Sequence, residues 1–143
     1  MRKSVRARRK RGGAIMEMAL LMPWVFLLFI GALDWGFYAY ALISMQAATR
    51  TAVLYTSSTD ATKADSAGAC TLVVKEMQYL PNVGAGNTCG TNPRVTATSG
   101  LGPDSLPASQ VSVTYQSVSL IPIPGLLAKQ FTITRTGKMR IRG

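Results

Sequence analysis

Glu17 stands out in a chain that has few groups suited to chemistry. The chain has no histidine and six acidic residues, and Glu17 is the one charge within the apolar run of residues 14–33. An ionised carboxylate inside an apolar segment is costly unless a cation pairs with it. A glutamate at the start of a helix can instead lie near lipid headgroups, where the helix dipole stabilises its charge. The residues alone leave both interpretations of Glu17 open.

The two cysteines, Cys70 and Cys89, both follow the apolar run. A single pair in an exported domain predicts one disulfide, which would stabilise the domain by about 3 kcal/mol in the chain-entropy model. Two unrelated thiols are the alternative. Two cysteines without histidine do not suit a zinc site, so we expect no metal and no cofactor.

The remaining polar residues form no catalytic pattern. Without histidine there is no Ser-His or Cys-His pair. Four further acids, Asp60, Asp65, Glu76 and Asp104, are spaced as on a solvated surface. The glycines at residues 84–86 lack the lysine and following helix of a phosphate-binding loop. We therefore expect that the protein is not an enzyme.

The first eleven residues form a basic tail with no acid, and this tail carries seven of the ten net positive charges. Such a tail can bind nucleic acid, mark the cytoplasmic flank of a membrane segment, or begin a secretory signal. Because the apolar run follows almost at once, we favour the membrane interpretations and expect no nucleic-acid partner. The residues expected to hold this end in the cytoplasm are Arg6, Arg8, Arg9, Lys10 and Arg11.

The apolar run is long enough to cross a bilayer, because twenty residues of helix span about 30 Å. Asp34 ends the run, and the aromatic residues at positions 35–40 suit the outer interface. Helical spacing then continues through Leu42, Met45, Ala48, Ala52 and Tyr55. We predict one helix from about residue 14 to about residue 56, with its upper half facing its own domain.

The rest of the chain predicts a small α+β domain. A second helix is expected from about residue 61 to 80, ended by Pro81, after a break at residues 56–60 that offers N-cap residues. Residues 81–108 are rich in glycine and proline and predict a loop. Period-two patterns at 111–116 and 131–142 predict two antiparallel strands, separated by the proline-rich residues 121–125. The expected domains are residues 1–12, 13–56 and 57–143.

The N-terminal pattern resembles the processing site of type IV pilin-like proteins. It consists of the basic tail, Gly12, the segment from Gly13 to Glu17 and the apolar helix. In that family a prepilin peptidase cuts after the glycine on the cytoplasmic face, and a glutamate stands fifth in the mature chain. The resemblance implies cleavage after Gly12. It also implies that Glu17 pairs with the α-amine of Gly13 in a neighbouring subunit and so sets the axial register of a filament.

A narrower resemblance is to the TadE-like family of minor pseudopilins. Residues 31–36, Gly-Ala-Leu-Asp-Trp-Gly, and residues 45–52, Met-Gln-Ala-Ala-Thr-Arg-Thr-Ala, are similar to that family's helix. Thr49 and Thr51 depart from the more usual Ala or Glu, and Met18 stands where an aromatic residue is usual. The C-terminal part, residues 109–142, also resembles the family in its strand, proline-rich turn and closing strand.

This resemblance implies a minor subunit of a bacterial tight-adherence pilus, with a pilin-like fold. The implied partners are a prepilin peptidase, other minor pseudopilins, the major pilin, the inner-membrane platform and the lipid bilayer. The implied location is the bacterial inner membrane, with a single span, a cytoplasmic N-terminus and an extracytoplasmic C-terminal domain. Incorporation into a surface pilus is a further option.

Two alternatives remain open. Ala39-Tyr40-Ala41 matches a signal-peptidase site, so a secreted protein cleaved near Ala41 is one. Its leader would be long, and Glu17 would interrupt it. The other is an uncleaved single-pass scaffold of an export machine.

Overall fold

The computed structural model describes residues 4–83, 89–118 and 130–142, and it describes side chains from residue 13 onward. The chain divides into two compact units, Met1–Phe37 and Tyr38–Gly143. The first helix, α1, runs through both units, and the second unit also holds helix α2 and a three-stranded sheet. The predicted α+β fold class, a long N-terminal helix followed by a second helix and a small antiparallel sheet, is confirmed.

Helix α1 spans Ser4–Thr56 and contains Pro23. It ends at the predicted residue but begins about ten residues earlier than predicted. Lysine, arginine and alanine are good helix formers, so the basic tail extends the helix, and the glycines at 12 and 13 do not end it. From Gly13 onward this helix is long and apolar enough to cross a membrane.

Within the first unit, the apolar side chains of α1 from residue 13 onward are mostly exposed. Trp24 and Leu28, for example, expose 67% and 74% of their surface. A helix that is apolar on all sides and exposed on all sides suits hydrocarbon better than water.

Within the second unit, α1 presents a stripe of buried small and flexible residues. Ala41, Met45, Ala48 and Ala52 are fully buried and recur at helical spacing. The predicted stripe is thus confirmed at its centre, whereas Leu42 and Tyr55 are only half-buried.

Helix α2 spans Ser66–Met77, so it is shorter at both ends than the predicted 61–80. Asp65 is its N-cap, which places the start five residues after the predicted one. Its buried face consists of Ala69, Cys70, Val73, Val74 and Met77.

The sheet has the order β1-β2-β3, with β1 at Arg94–Leu101, β2 at Pro107–Gln116 and β3 at Thr132–Arg140. Both pairs are antiparallel, and the register aligns Val95 with Val113 and Val113 with Arg135. The central strand supplies the core: Val111, Val113 and Tyr115 are fully buried. The two predicted strands are therefore confirmed as β2 and β3.

Strand β1 corrects the prediction that residues 81–108 are loop throughout. Val95 and Ala97 alternate with Thr96 and Thr98, which is the period-two signal of a strand. The many glycines and prolines around this short pattern concealed it. The predicted proline-rich separator, residues 121–125, lies outside the described residues.

The apolar face predicted for the last strand is only partly buried. Ile133 and Ile141 are buried, Met139 is half-buried and Phe131 exposes 59% of its surface. The ring of Phe131 meets that of Tyr38 edge to face, with centroids 5.7 Å apart.

Candidate functional site

The predicted processing segment lies on α1. Gly12, Gly13 and Glu17 are all helical, and Glu17 follows Gly13 by four residues, one turn or about 6 Å along the axis. Glu17 is exposed, and a Cβ added at Gly13 would meet no atom within 4 Å. Within the described residues, Glu17 forms no ion pair. This stretch of α1 therefore presents an exposed carboxylate.

The predicted topology residues also lie on α1. The backbone at Arg6, Arg8, Arg9, Lys10 and Arg11 is helical. Their side chains lie outside the described part of the structure.

The predicted disulfide is confirmed. The Cys70 and Cys89 sulfurs lie 2.10 Å apart, and their Cα atoms lie 5.7 Å apart. The bond ties α2 to the segment that leads into β1. It closes a chain separation of 19 residues, long enough for a substantial entropic stabilisation of the second unit.

Asp65 has a structural role that its sequence position concealed. Its carboxylate accepts hydrogen bonds from the Ala67 and Gly68 backbone N–H groups at 3.1 and 3.0 Å, and from the Tyr55 hydroxyl at 2.8 Å. These donors, the Gly68 N–H first and the Tyr55 hydroxyl next, lower the pKa of Asp65 below its usual range. Asp65 therefore joins the start of α2 to the end of α1. The sequence did contain a signal for this helix start, because Asp65 is a residue type that favours the N-cap position and directly precedes Ser66.

Two buried polar side chains anchor β2. The Ser109 hydroxyl donates to the Lys63 carbonyl at 2.9 Å and lies 2.7 Å from the Thr56 hydroxyl. The Tyr115 hydroxyl donates to the Pro81 carbonyl at 2.6 Å, and burial raises the pKa of Tyr115. These bonds hold the central strand to the end of α1 and to the segments on either side of α2.

Gly137 lets β3 approach α1 closely within the second unit. A Cβ at this position would lie 2.7 Å from Val53 Cγ2 and 3.2 Å from Thr49 Cγ2, closer than side chains normally pack. Only glycine fits without displacing these helix side chains.

The described polar clusters contain no Ser-His or Cys-His pair, since the chain has no histidine, and the described acids are dispersed. Within residues 4–83, 89–118 and 130–142, no group of three or more Cys, Asp or Glu residues is placed to hold a metal ion. The described polar clusters connect secondary-structure elements.

Within the described residues, these features define a protein with one helix long and apolar enough to cross a membrane and with a small, disulfide-bonded α+β unit. Within it, residues 12–54 match the model of a family described as TadE-like protein. The match confirms the predicted resemblance over these residues and is consistent with a TadE-like protein of a tight-adherence pilus. It begins at Gly12 and includes Glu17, Asp34 and Arg50. Neither a curated protein nor a solved structure matches the chain.

Proposed function

We propose that this protein is a minor pseudopilin that acts in the assembly or priming of a bacterial tight-adherence pilus. The observation that carries the proposal is the segment from Gly12 to Glu17. It combines two glycines, an exposed carboxylate and the start of an exposed apolar helix at the beginning of the TadE-like match.

The basic leader, residues 1–12, is removed after Gly12 by a prepilin peptidase at the cytoplasmic membrane face. Cleavage removes seven positive charges and frees the α-amine of Gly13. Until then, the arginines and lysine at positions 6–11 keep this end in the cytoplasm by the positive-inside rule. Residues 13–56 form the membrane helix with its extension, and residues 57–143 form the extracytoplasmic domain. The Cys70–Cys89 disulfide supports this placement, because disulfides persist in oxidising compartments.

Glu17 then sets the axial register between subunits. In a filament the apolar helices pack together and exclude water, so an unpaired carboxylate is costly. Pairing with the α-amine of Gly13 in a neighbouring subunit removes this cost only in the correct register. The absence of an ion pair to Glu17 within the described residues supports a partner in another molecule.

The proposed partners follow from these steps. They are the prepilin peptidase, other minor pseudopilins, the major pilin, the inner-membrane platform of the pilus machine and the lipid bilayer. The protein acts as an assembly subunit without cofactor or metal.

Replacement of Glu17 tests the register role. We expect Glu17→Gln and Glu17→Ala to reduce the amount of surface pili by about tenfold or more, because breaking a buried ion pair costs several kcal/mol. Glu76→Gln is the matched control, since Glu76 is an exposed acid on α2. The readout is sheared pili quantified by immunoblot in the strain that encodes the protein, with membrane levels of each variant measured in parallel. If both Glu17 variants produced as many surface pili as wild type, the register role would be excluded.

A further inference from the structure

A groove in the second unit lies between the upper part of α1 and strand β3. It has a volume of about 390 Å³. Thr49, Arg50 and Val53 line one side, and Arg135, Gly137 and Lys138 line the other. Gly137 is part of this lining, and its lack of a side chain brings the strand close to α1.

The groove is cationic on both sides. Arg50, Arg135 and Lys138 are exposed, and none of the lining residues is acidic. In the described part of the chain, none of these three cations takes part in an ion pair. The Lys138 ammonium donates to the Leu101 carbonyl of β1 at 2.8 Å, across β2 and on the sheet face opposite the side on which Gly137 meets α1. The cations available to a ligand in the groove are therefore Arg50 and Arg135. Guanidinium groups bind carboxylates through two parallel hydrogen bonds, so this arrangement suits a ligand with several carboxylates.

The shape favours an extended ligand. Strand β3 is at the edge of the described sheet and pairs with β2 on one side. An edge strand can pair with a segment in extended conformation, and side chains of that segment then alternate toward and away from the groove.

We propose that this groove binds an extended acidic segment of another protein, whose Asp or Glu carboxylates pair with Arg50 and Arg135. This goes beyond the proposed function and does not depend on Glu17 or on removal of the leader. It assigns the second unit its own docking surface, separate from the packing of membrane helices.

The bilayer surface is a poorer occupant. The apolar run ends before Tyr38, and Arg50 lies twelve residues further along α1, about 18 Å up the helix axis. That distance is about twice the range over which charges act in physiological salt.

A second copy of the chain is also a poor occupant. Residues 38–143 contain nine Lys and Arg residues and four Asp and Glu residues. No two acidic residues in the chain are closer than five positions. Moreover, Asp65 and Asp60 already bind Tyr55 and Lys63 within the unit. The chain thus lacks the clustered carboxylates that the groove requires.

The test compares two double variants of the full chain in nanodiscs of neutral lipid. Arg50→Gln with Arg135→Gln removes two groove cations, and Lys75→Gln with Arg94→Gln removes two exposed cations outside the groove. The probe is a short fluorescent peptide of alternating glutamate and threonine, with a glutamine-threonine peptide as neutral control. Fluorescence anisotropy gives the dissociation constants, and thermal unfolding checks that all four exposed replacements leave the fold intact.

We expect the groove variant to bind the acidic peptide about tenfold more weakly than wild type, and the control variant to stay within about twofold. Equal losses in the two variants would show general attraction to a basic protein and would overturn the proposal, as would no loss in either. Binding of the same proteins to vesicles containing phosphatidylglycerol tests whether the groove instead binds an acidic membrane surface. If the groove variant loses vesicle binding but keeps peptide binding, the groove serves lipid and the proposal is wrong.

Discussion

At the scale of single residues, Gly137 shows how one missing side chain determines a contact. Its Cα faces Val53 and Thr49 on α1, and the β-branched Val53 has little freedom to move away. The sequence shows a glycine inside a predicted strand, but only the register of β3 reveals what lies opposite.

We expect Gly137→Ala to lower the free energy of unfolding by about 1–3 kcal/mol, because the added methyl overpacks the helix contact. Gly100→Ala is the control, since a Cβ there meets nothing within 4 Å. Urea titration with pulse proteolysis of the full chain in detergent measures the free energy of unfolding of both variants and of wild type. Equal stability of the two variants would show that α1 and β3 adjust freely.

Asp65 gives a pH-dependent prediction. Its pKa is lower in the folded than in the unfolded chain, so its contribution to stability is complete above the ordinary value of about 3.9. The contribution of Asp65 to stability is lost as the pH falls through its lower pKa in the folded chain. Wild type should therefore be more stable than Asp65→Asn at neutral pH, and this lead should shrink below about pH 4.

Thermal unfolding of wild type and Asp65→Asn, from neutral to acidic pH, measures this difference in stability. Asp60→Asn is the control, because the Asp60–Lys63 pair is exposed and exposed pairs stabilise little. If the stability difference between wild type and Asp65→Asn stayed constant down to the lowest pH, the hydrogen bonds assigned to Asp65 would be contradicted.

At the scale of elements, the sequence predicted the helices and strands in which apolar residues recur at regular spacing over a long stretch. The helix through residue 56 and strand β2 have long periodic stripes, and the central strand buries alternate residues along its length. Strand β1 was missed because only Ala97 is buried in it, so its apolar alternation is weak. The start of α2 was misplaced because several N-cap residues compete there. The Tyr55 hydroxyl, a tertiary contact, supports Asp65.

The disulfide ties α2 to the segment that leads into β1. We expect the double variant Cys70→Ser with Cys89→Ser to unfold with a free energy lower by about 3 kcal/mol, since the unfolded chain regains its loop entropy. Urea unfolding of the variant and of wild type, each with and without reductant, provides the measurement. The reductant should destabilise wild type alone. A double variant as stable as oxidised wild type would show that the bond adds nothing to the fold.

At the scale of the whole molecule, the helical segment from Gly12 to Glu17 was easier to predict than the groove in the second unit. The segment from Gly12 to Glu17 depends on local order along one helix, which the sequence displays directly. The groove between Arg50 and Arg135 depends on residues 85 positions apart in the chain, which only folding brings together. Local patterns therefore reveal the candidate membrane segment, whereas the proposed docking surface requires the structure.

The mature N-terminus tests the central proposal most directly. The measurement is the intact mass of the protein purified from membranes of its own strain, with and without the prepilin peptidase gene. We expect the chain to begin at Gly13 when the peptidase is present and to retain residues 1–12 when it is absent. Retention of these residues in both strains would contradict the pseudopilin account and favour a static anchor, and a chain beginning after Ala41 would favour a secreted protein.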